Sequence, residues 1–419
     1  MATTRYDVIV VSSGPGARLR DVCGGGTWQV REHRRELIER PYVRYRKFSP
    51  PGAEQRKEEH MGKYRVIEWT TGGVGSAMVA AMRHHPDLEL VGCYAYSPEK
   101  VGKDVGTLCG LEPIGITATN DVDALLALKA DCVNYVPVWP NIDEMCRILE
   151  SGTNIVTAAS WITGHKLDAE YPHPSGKKAR QLIAEACQRG RSTIYGSGMS
   201  PGLDNILGLV STSACTHVDH LTVTESVDVS CHHSVPTWES VGYGLPVDHP
   251  DIPRLMKTGT SVFVDALYMM ADALGVELED VRFENDVGAA TEDTDFGWWQ
   301  IKKGCVAAQF TRWIGIVNGK PLIEMHLVYQ MGFKTDPCWK VEHGYVVAIK
   351  GYPDIKVKYS IFPPRGLSAK DVKEYQRIGM SVTGMPVINA IPEVCKAKPG
   401  ILTCADIPLR GLTGCVRRA

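Results

Sequence analysis

Hydrophobic and polar residues alternate with two different periods between residue 61 and about residue 205. Short apolar runs such as YRVIEW, LELVGCYAY, DCVNYV and TNIVTAAS alternate with segments of helical period such as GSAMVAAMRHHP and NIDEMCRILESG. Each apolar run is typical of a buried strand, and each helical segment is long enough to cross from one strand to the next. This alternation predicts a doubly wound parallel sheet of the Rossmann type over residues 61–205.

The pattern changes at about residue 206. β-rich runs separated by short polar turns follow, among them DHLTVTESVDVS, CVAAQFTRWIGIV and PLIEMHLVYQM, with one long helical stretch, DIPRLMKTGTSVFVDALYMMADALG. They predict a second, α+β domain over residues 206–380, with a largely antiparallel sheet and a covering helix. We expect the apolar helical segment and tail, residues 381–419, to return to the Rossmann domain.

Residues 1–60 fit neither pattern. They are rich in arginine and lack a sustained apolar period, which is typical of a flexible N-terminal extension. The stretch 6–17, YDVIVVSSGPGA, resembles the start of a flavoprotein, but Ser12 and Ala17 replace the first and third glycines of the fingerprint. No apolar helix follows, so we expect no FAD site here and expect the functional part to begin at Met61.

The composition excludes several classes of protein. The 419 residues carry a net charge of -2, so no global field draws the chain toward nucleic acid or a membrane surface. No apolar run approaches the roughly 20 residues that span a bilayer. The 13 cysteines include no CxxC pair, which favours reduced thiols in a cytoplasmic protein. No His, Cys or Asp spacing is typical of a metal site.

A glycine-rich turn at residues 70–75, TTGGVG, stands between a predicted strand and a predicted helix. Gly72 and Gly75 take the second and third places of the GxGxxG fingerprint, while Thr70 replaces the first glycine. Small residues let a diphosphate approach the backbone N–H groups at a helix start. The turn therefore predicts nucleotide binding; the alternative is an ordinary tight turn between strand and helix.

The end of the second strand bears on the choice of cofactor. An acidic residue there would bind the ribose of NAD and repel a 2′-phosphate. Ser97 can donate to such a phosphate and Lys100 can neutralise it, while Glu99 comes late in the turn. The pattern favours NADP(H), with NAD(H) as the alternative; Lys100 could otherwise be a solvated residue at a helix start.

Four segments carry a family resemblance: YRVIEWTTGGVG, LELVGCYAYSPEKVGKDVG, GSGMSPGLDN and MPVINAIPEVCKAKPGILTCADIPL. They resemble the actinobacterial dihydrodipicolinate reductase-like proteins, which are related to 2,4-diaminopentanoate dehydrogenase and the NAD(P)H-dependent amine dehydrogenases. The resemblance covers Met61 to the C-terminus. It implies a Rossmann domain, a C-terminal substrate domain, a homodimer, and hydride transfer to or from a small C=O or C=N substrate.

The resemblance also implies positions for the cofactor. The residues it places along the diphosphate, the adenosine ribose and the nicotinamide are Thr71, Gly72, Gly73, Val74, Gly75, Ser97, Lys100, Tyr135, Pro137, Ala159 and Ser160. The loop at residues 196–202, GSGMSPG, would close the site where the domains join.

The sequence departs from this family in two respects. Members that aminate ketones carry a glutamate shortly after the fourth strand, whereas TAASWITG has no carboxylate before Asp168. This leaves amine dehydrogenase chemistry open beside carbonyl or imine reduction. The histidine pair and the K-x-D-A-P-S-G-T run of true dihydrodipicolinate reductases are split here and in the wrong order, so we do not expect a role in lysine biosynthesis.

Hydride transfer to C=O or C=N needs a proton source within hydrogen-bond reach. The candidates are His232 and His233 after a strand, Glu225 within that strand, and Tyr135. Each has a structural alternative: a surface loop for the histidines, a solvated strand position for Glu225, and stacking on the cofactor for Tyr135.

Large side chains could line an apolar pocket for a bulky substrate. The candidates are Trp161, Met199, Trp298 and Trp299, which could instead belong to the core or a dimer interface. The sequence thus predicts an NAD(P)H-dependent oxidoreductase without a metal. The alternative is a nucleotide-binding sensor or assembly protein without turnover.

Overall fold

The computed structural model describes residues 62–158, 161–367, 372–408 and 411. The predictions for residues 1–60, and those for Ala159 and Ser160, fall outside the described residues. Within the described ranges, no helix is long and apolar enough to span a membrane.

The first part of the described chain, together with a short strand near its end, folds into a parallel sheet with helices on both faces. Its seven strands lie in the order β16-β6-β5-β4-β1-β2-β3. The strands are β1 (Tyr64–Trp69), β2 (Leu88–Tyr94), β3 (Ala118–Thr119), β4 (Cys132–Tyr135), β5 (Asn154–Ala158), β6 (Thr193–Ser197) and β16 (Gly400–Leu402). The helices between them are α1 (Gly73–Met82), α2 (Val105–Leu108), α3 (Val122–Ala127), α4 (Ile142–Glu150), α5 (His165–Glu170) and α6 (Ala179–Gly190). The predicted doubly wound Rossmann-type sheet is confirmed.

Successive side chains of each parallel strand enter two different cores. On β1, Val66 packs into the core beneath α1, while Ile67 packs into the core beneath α4 and α6. Burial of both faces explains why these strands are apolar throughout rather than alternating. Helix α11 (Val372–Val394) completes the first core, where Ile388 and Ile391 are fully buried.

The later part of the chain forms a second sheet of seven strands in the order β13-β8-β11-β12-β7-β14-β15. The strands are β7 (His217–Asp228), β8 (Asp280–Ala290), β11 (Val306–Val317), β12 (Lys320–Gln330), β13 (Thr335–Asp336), β14 (Gly344–Tyr352) and β15 (Ile355–Tyr359); β9 (Thr294–Asp295) and β10 (Gln300–Ile301) pair separately. Only β12 and β7 pair in parallel within this sheet. The predicted, largely antiparallel sheet is confirmed, while the exact domain boundaries stay a prediction.

Helices cover one face of the second sheet. They include α7 (Asp204–Thr212), α8 (Val235–Ser240), α9 (Ile252–Gly259) and α10 (Val262–Leu274). Leu221 and Val223 of β7 pack against Leu267 and Met270 of α10 in a common core. The helix-covered face of β7 therefore carries Glu225 as well, since residues two apart point to the same side of a strand.

The long helical stretch predicted from the sequence is two helices, α9 and α10. Between them, the hydroxyl of Thr260 donates to the carbonyl of Met256 at 2.7 Å and accepts from the indole N–H of Trp313 at 3.0 Å. A threonine hydroxyl that bonds to the backbone competes with helical hydrogen bonding, and here it also anchors the break to the sheet.

An aspartate of α10 joins the two sheets. The buried carboxylate of Asp265 accepts hydrogen bonds from the backbone N–H groups of Ile162, Thr163, Gly164 and Lys166 at 2.8–3.2 Å. Because this loop follows β5, Asp265 fixes the carboxyl end of the parallel sheet against the second sheet.

Candidate active site

The glycine-rich turn runs from the end of β1 into α1. A Cβ at Gly72 would meet no atom within 4 Å, whereas a Cβ at Gly75 would collide with the carbonyl oxygen of Thr70 and lie 2.7 Å from Oε1 of Glu68. Gly75 is thus required by the turn itself, while Gly72 leaves its outer side open. Thr70 has a φ of 92°, a conformation that suits the glycine it replaces. An open surface at a helix start fits a diphosphate.

A positive charge stands beside this turn. Nζ of Lys100 donates to both the carbonyl oxygen and Oγ1 of Thr71, each at 3.3 Å. The exposed carboxyl of Glu99 accepts hydrogen bonds from its own backbone N–H and from Ser97. These hydrogen bonds lower its pKa. The ammonium group of Lys100 therefore lies against the glycine turn.

A buried carboxyl group lies beneath the turn. Oε2 of Glu68 accepts from Nδ2 of Asn134 at 2.7 Å on the neighbouring strand, while Oε1 has no hydrogen-bond partner among the described residues. Burial raises the pKa of Glu68 well above its ordinary value, against the weaker opposing effect of Asn134. A neutral Glu68 avoids placing a second negative charge next to a bound diphosphate.

Tyr135 lies in the core beneath α4. Its hydroxyl donates to Oε2 of Glu144 at 2.8 Å and accepts from the backbone N–H of Asn141 at 3.0 Å, and burial raises its pKa. Its hydroxyl is thus held by the start of α4. Pro137 follows at the carboxyl end of β4, next to the strongly exposed side chain of Trp139.

Glu225 lies where the second sheet meets the loop after β6. Its Oε2 accepts from the hydroxyl of Tyr329 at 2.6 Å and its Oε1 from the hydroxyl of Tyr345 at 3.3 Å. The hydroxyl of Ser200, in the irregular loop Met199–Leu203, is close enough to lower the pKa of Glu225 as well. Burial raises the pKa of Glu225 despite these hydrogen bonds. A carboxyl group whose pKa is raised in this way can hold a proton and exchange it with a bound substrate.

Asp204 completes the same cluster. It begins α7 and is fully buried, and its Oδ2 lies 2.7 Å from the hydroxyl oxygen of Ser200. Burial raises its pKa to about 8, and the nearby Glu225 adds to the shift. Sequence reasoning missed Asp204 and Ser200 as site residues; the only signal was an aspartate at a helix start after the sharp GSGMSPG loop.

The paired histidines lie in the loop that follows β7. The ring of His232 meets Trp238 edge-on at 5.4 Å, and the ring of His233 stacks on Trp298 at 4.9 Å. Burial lowers the pKa of His232. Trp238 in turn packs edge-on against Tyr329 at 6.1 Å, so aromatic contacts connect these histidines to the tyrosine that holds Glu225.

The four pocket candidates are not brought together on one surface. Trp161 is buried in the core of the parallel sheet beneath α4 and α6. Met199 is buried in the loop after β6, next to Ser200. Trp298 and Trp299 pack at the edge of the aromatic core of the second sheet, where the indole N–H of Trp298 donates to the carbonyl of Ser230 at 3.0 Å.

The described residues include no group of three or more His, Cys, Asp and Glu side chains that could hold a metal ion. The residues present do fit a dinucleotide, because the turn is open at Gly72 and carries Lys100 at its side. A Rossmann-type sheet with this turn, joined to a second sheet that carries a buried carboxyl, defines a nicotinamide-dependent oxidoreductase.

Comparison with known proteins agrees with this class. Residues 203–418 match the 2,4-diaminopentanoate dehydrogenase C-terminal domain family, and residues 67–134 match the N-terminal family of dihydrodipicolinate reductase. The first match covers more than half of the chain. The chain therefore belongs to the family of the 2,4-diaminopentanoate dehydrogenase C-terminal domain.

Individual relatives extend over most of the chain. An amine dehydrogenase of Streptomyces virginiae is 29% identical over 365 residues, which cover 83% of this chain and 97% of the relative. A 2,4-diaminopentanoate dehydrogenase of Acetoanaerobium sticklandii is 24% identical over 366 residues, covering 83% and 94%. The structure of amine dehydrogenase from Mycobacterium smegmatis superposes with a TM-score of 0.63 at 18% identity, covering 84% of this chain and 97% of that one, and shows the same fold. The chain is an NAD(P)-dependent oxidoreductase that transfers a hydride.

Proposed function

We propose that this protein uses NADPH to reduce a small ketone, aldehyde or imine in the cleft between its two sheets, and catalyses the reverse oxidation of the matching alcohol or amine. The observation that carries the proposal is Glu225, a buried carboxyl with a raised pKa that reaches the loop after β6 through Ser200. The carboxyl ends of the strands of an open parallel sheet are where ligands bind.

The cofactor, when bound, supplies or accepts the hydride. The turn at Gly72–Gly75 would hold its diphosphate, and Pro137 and the loop after β5 would border its nicotinamide end. Asp265 holds that loop in place through four backbone N–H groups. Glu225 gives a proton to the substrate heteroatom during reduction and takes it back during oxidation, while Tyr329 and Tyr345 orient its two oxygens.

A preference for NADPH over NADH follows from the charge beside the glycine turn. Two hydrogen bonds hold the ammonium group of Lys100 against Thr71, where it could neutralise a 2′-phosphate. Ser97 adds a hydroxyl donor in the same turn. The only acidic side chain in this short turn, Glu99, is exposed and bonded to its own segment.

Amine dehydrogenase chemistry is the second candidate function. It is favoured by the name of the 29% identical relative and by the carboxyl pair, Asp204 and Glu225, beside the loop after β6. No carboxylate follows β5 before Asp168, and Asp168 is bound to Arg180 at 3.0 Å. Glu225 would then be the carboxylate that handles ammonia and the iminium.

The test is cofactor consumption by the full chain with a panel of ketones and aldehydes, measured with NADPH and NADH and with and without ammonium. Turnover without ammonium supports carbonyl reduction, and turnover only with ammonium supports amine dehydrogenase chemistry. Glu225→Gln should lower kcat by about 10²-fold or more in either case. Tight cofactor binding without any turnover would instead favour a sensor or assembly protein.

We further propose a cytoplasmic homodimer. All cysteines of the described residues are free thiols, as in a reducing compartment. The family resemblance supports the dimer, which light scattering of the full chain would test.

A further inference from the structure

Two buried carboxyl groups from different parts of the fold are joined by one serine hydroxyl. Asp204 comes from the start of α7, and Glu225 comes from the middle of β7. Ser200 lies beside both, with its Oγ 2.7 Å from Oδ2 of Asp204 and its hydroxyl close enough to Glu225 to lower the pKa of that carboxyl. We propose that Ser200 and Asp204 form a proton relay that restores the proton Glu225 exchanges with the substrate. The inference rests on the proposed function.

The hydrogen-bonding capacity of the serine hydroxyl determines which of the two carboxyl groups carries a proton. A serine hydroxyl carries one proton and two lone pairs, so it donates to one partner and accepts from another. When Ser200 donates to one of the two carboxylates, the other carboxyl must itself donate to Ser200 and is therefore protonated. The pair thus holds one proton, and reversing both hydrogen bonds moves that proton from Asp204 to Glu225.

The groups that face the pair keep it in this singly protonated state. The hydroxyls of Tyr329 and Tyr345 face Glu225 from β12 and β14, and the backbone N–H groups of Asn205 and Gly202 face Asp204. Asp204 is fully buried and Glu225 is partly buried, and each disfavours ionisation of the other. Burial and the charge of Glu225 raise the pKa of Asp204 to about 8, so at neutral pH the proton resides on Asp204.

The relay accounts for each proton that is transferred during one reduction. Before the chemical step, Ser200 passes its proton to the Glu225 carboxylate and receives the proton of Asp204. The substrate carbon then accepts a hydride, its heteroatom takes the proton from Glu225, and the C=O or C=N double bond becomes a single bond. Asp204, left ionised, takes a proton from solvent before the next turnover, and oxidation runs the same transfers backwards.

The first experiment is the pH profile of kcat for reduction in the full chain. In the parent protein kcat should fall as the pH rises through about 8, because Asp204 then loses its proton. Asp204→Asn and Ser200→Ala should each lower kcat by about 10- to 100-fold at pH 7 and remove this decline. The matched controls Asp219→Asn, an exposed carboxyl on β7, and Ser211→Ala in α7 should keep the parent profile. A parent-like decline near pH 8 in Asp204→Asn or in Ser200→Ala would overturn the relay.

The second experiment does not depend on turnover. The infrared difference spectrum of the full chain, parent minus Asp204→Asn, should show the carbonyl band of a protonated carboxyl at pH 7 that disappears above about pH 8. The neutral carboxyl of Glu68 is present in both proteins and cancels in this difference, and Asp219→Asn used in place of the parent should give the same band. If the substrate panel gives no turnover but the band behaves as described, the proposed function fails and the shared proton stands. If the difference spectrum lacks this band, the relay is overturned whatever the substrate.

Discussion

Gly75 packs against the carbonyl oxygen of Thr70 so closely that a Cβ at this position would collide with it. Gly72, three residues earlier, has open space in the direction of its missing Cβ. The two glycines of this turn therefore differ in what a side chain would meet. Gly75 is needed to form the turn, whereas the turn itself has room for a side chain at Gly72, where the proposed function places the diphosphate.

The first prediction separates these two reasons. Gly75→Ala should disrupt the turn, because the new Cβ also lies 2.7 Å from Oε1 of Glu68, and should lower the free energy of unfolding by about 1–3 kcal/mol. Gly72→Ala should unfold like the parent protein but bind NADPH about tenfold more weakly, because the methyl group keeps the diphosphate away from the helix start. Urea unfolding and calorimetric titration measure the two quantities. A parent-like NADPH affinity in Gly72→Ala would show that the turn does not hold the diphosphate.

The second prediction concerns cofactor choice. Lys100→Ala should raise the Kd for NADPH about tenfold and leave the Kd for NADH nearly unchanged, because only NADPH carries the 2′-phosphate that the ammonium group would neutralise. Lys103→Ala removes an exposed lysine three residues away and serves as the control. Equal weakening of both cofactors by Lys100→Ala would contradict the assignment.

The third prediction is a pH dependence of stability at Glu68. The pKa of this carboxyl in the folded state is raised above its ordinary value of 4.5. The contribution of the protonated carboxyl to the free energy of unfolding is therefore fully present below pH 4.5 and is lost as the pH rises toward the folded-state pKa. The parent protein then loses about 1.4 kcal/mol per pH unit until Glu68 ionises in the folded state. Glu68→Gln should lack this contribution, whereas that of Asp204 is common to both proteins, so the stability of the variant relative to the parent should increase steadily above about pH 4.5.

Unfolding by urea at a series of pH values measures this difference. Glu89→Gln, at an exposed position of β2, is the matched control and should follow the parent curve. A difference between Glu68→Gln and the parent that does not change with pH would show that Glu68 is ionised in the fold.

The fourth prediction tests the junction of the two sheets. Asp265→Asn replaces one acceptor oxygen with an amide N–H₂ that faces backbone donors, so it should destabilise the protein by about 2–4 kcal/mol. It should also lower kcat, because the loop after β5 loses its support. Asp272→Asn, on an exposed face of the same helix, should change neither quantity measurably. Parent-like stability in Asp265→Asn would mean that the four N–H groups find other acceptors.

The sequence was sufficient for the parallel sheet and the glycine turn. Their signals are local: apolar runs of strand length, helical periods between them, and glycines at the end of β1. The break between α9 and α10 was missed because its cause is a hydrogen bond from Trp313 to Thr260, which no local pattern shows. Asp265 was missed for the same reason, since an aspartate in a helix gives no sign of the loop it binds.

The candidate site was harder to predict than the fold. Glu225 could be proposed from its strand, but its pairing with Asp204 through Ser200 depends on how two distant parts of the chain meet. The pattern of apolar residues also does not show which face of the parallel sheet, and so which of its two cores, a strand residue packs into. Tyr135 and Trp161 were therefore candidates for the cleft, although the structure places both in the core beneath α4.

The most direct test of the account is the transfer of a label. The full chain is incubated with NADPH that carries deuterium at the transferable position of the nicotinamide, together with substrates that give turnover, and the product is examined by mass spectrometry. The account predicts one deuterium on the carbon of the former C=O or C=N bond, and a much slower reaction in Glu225→Gln. Binding of NADPH without label in any product across the panel, with and without ammonium, would contradict it.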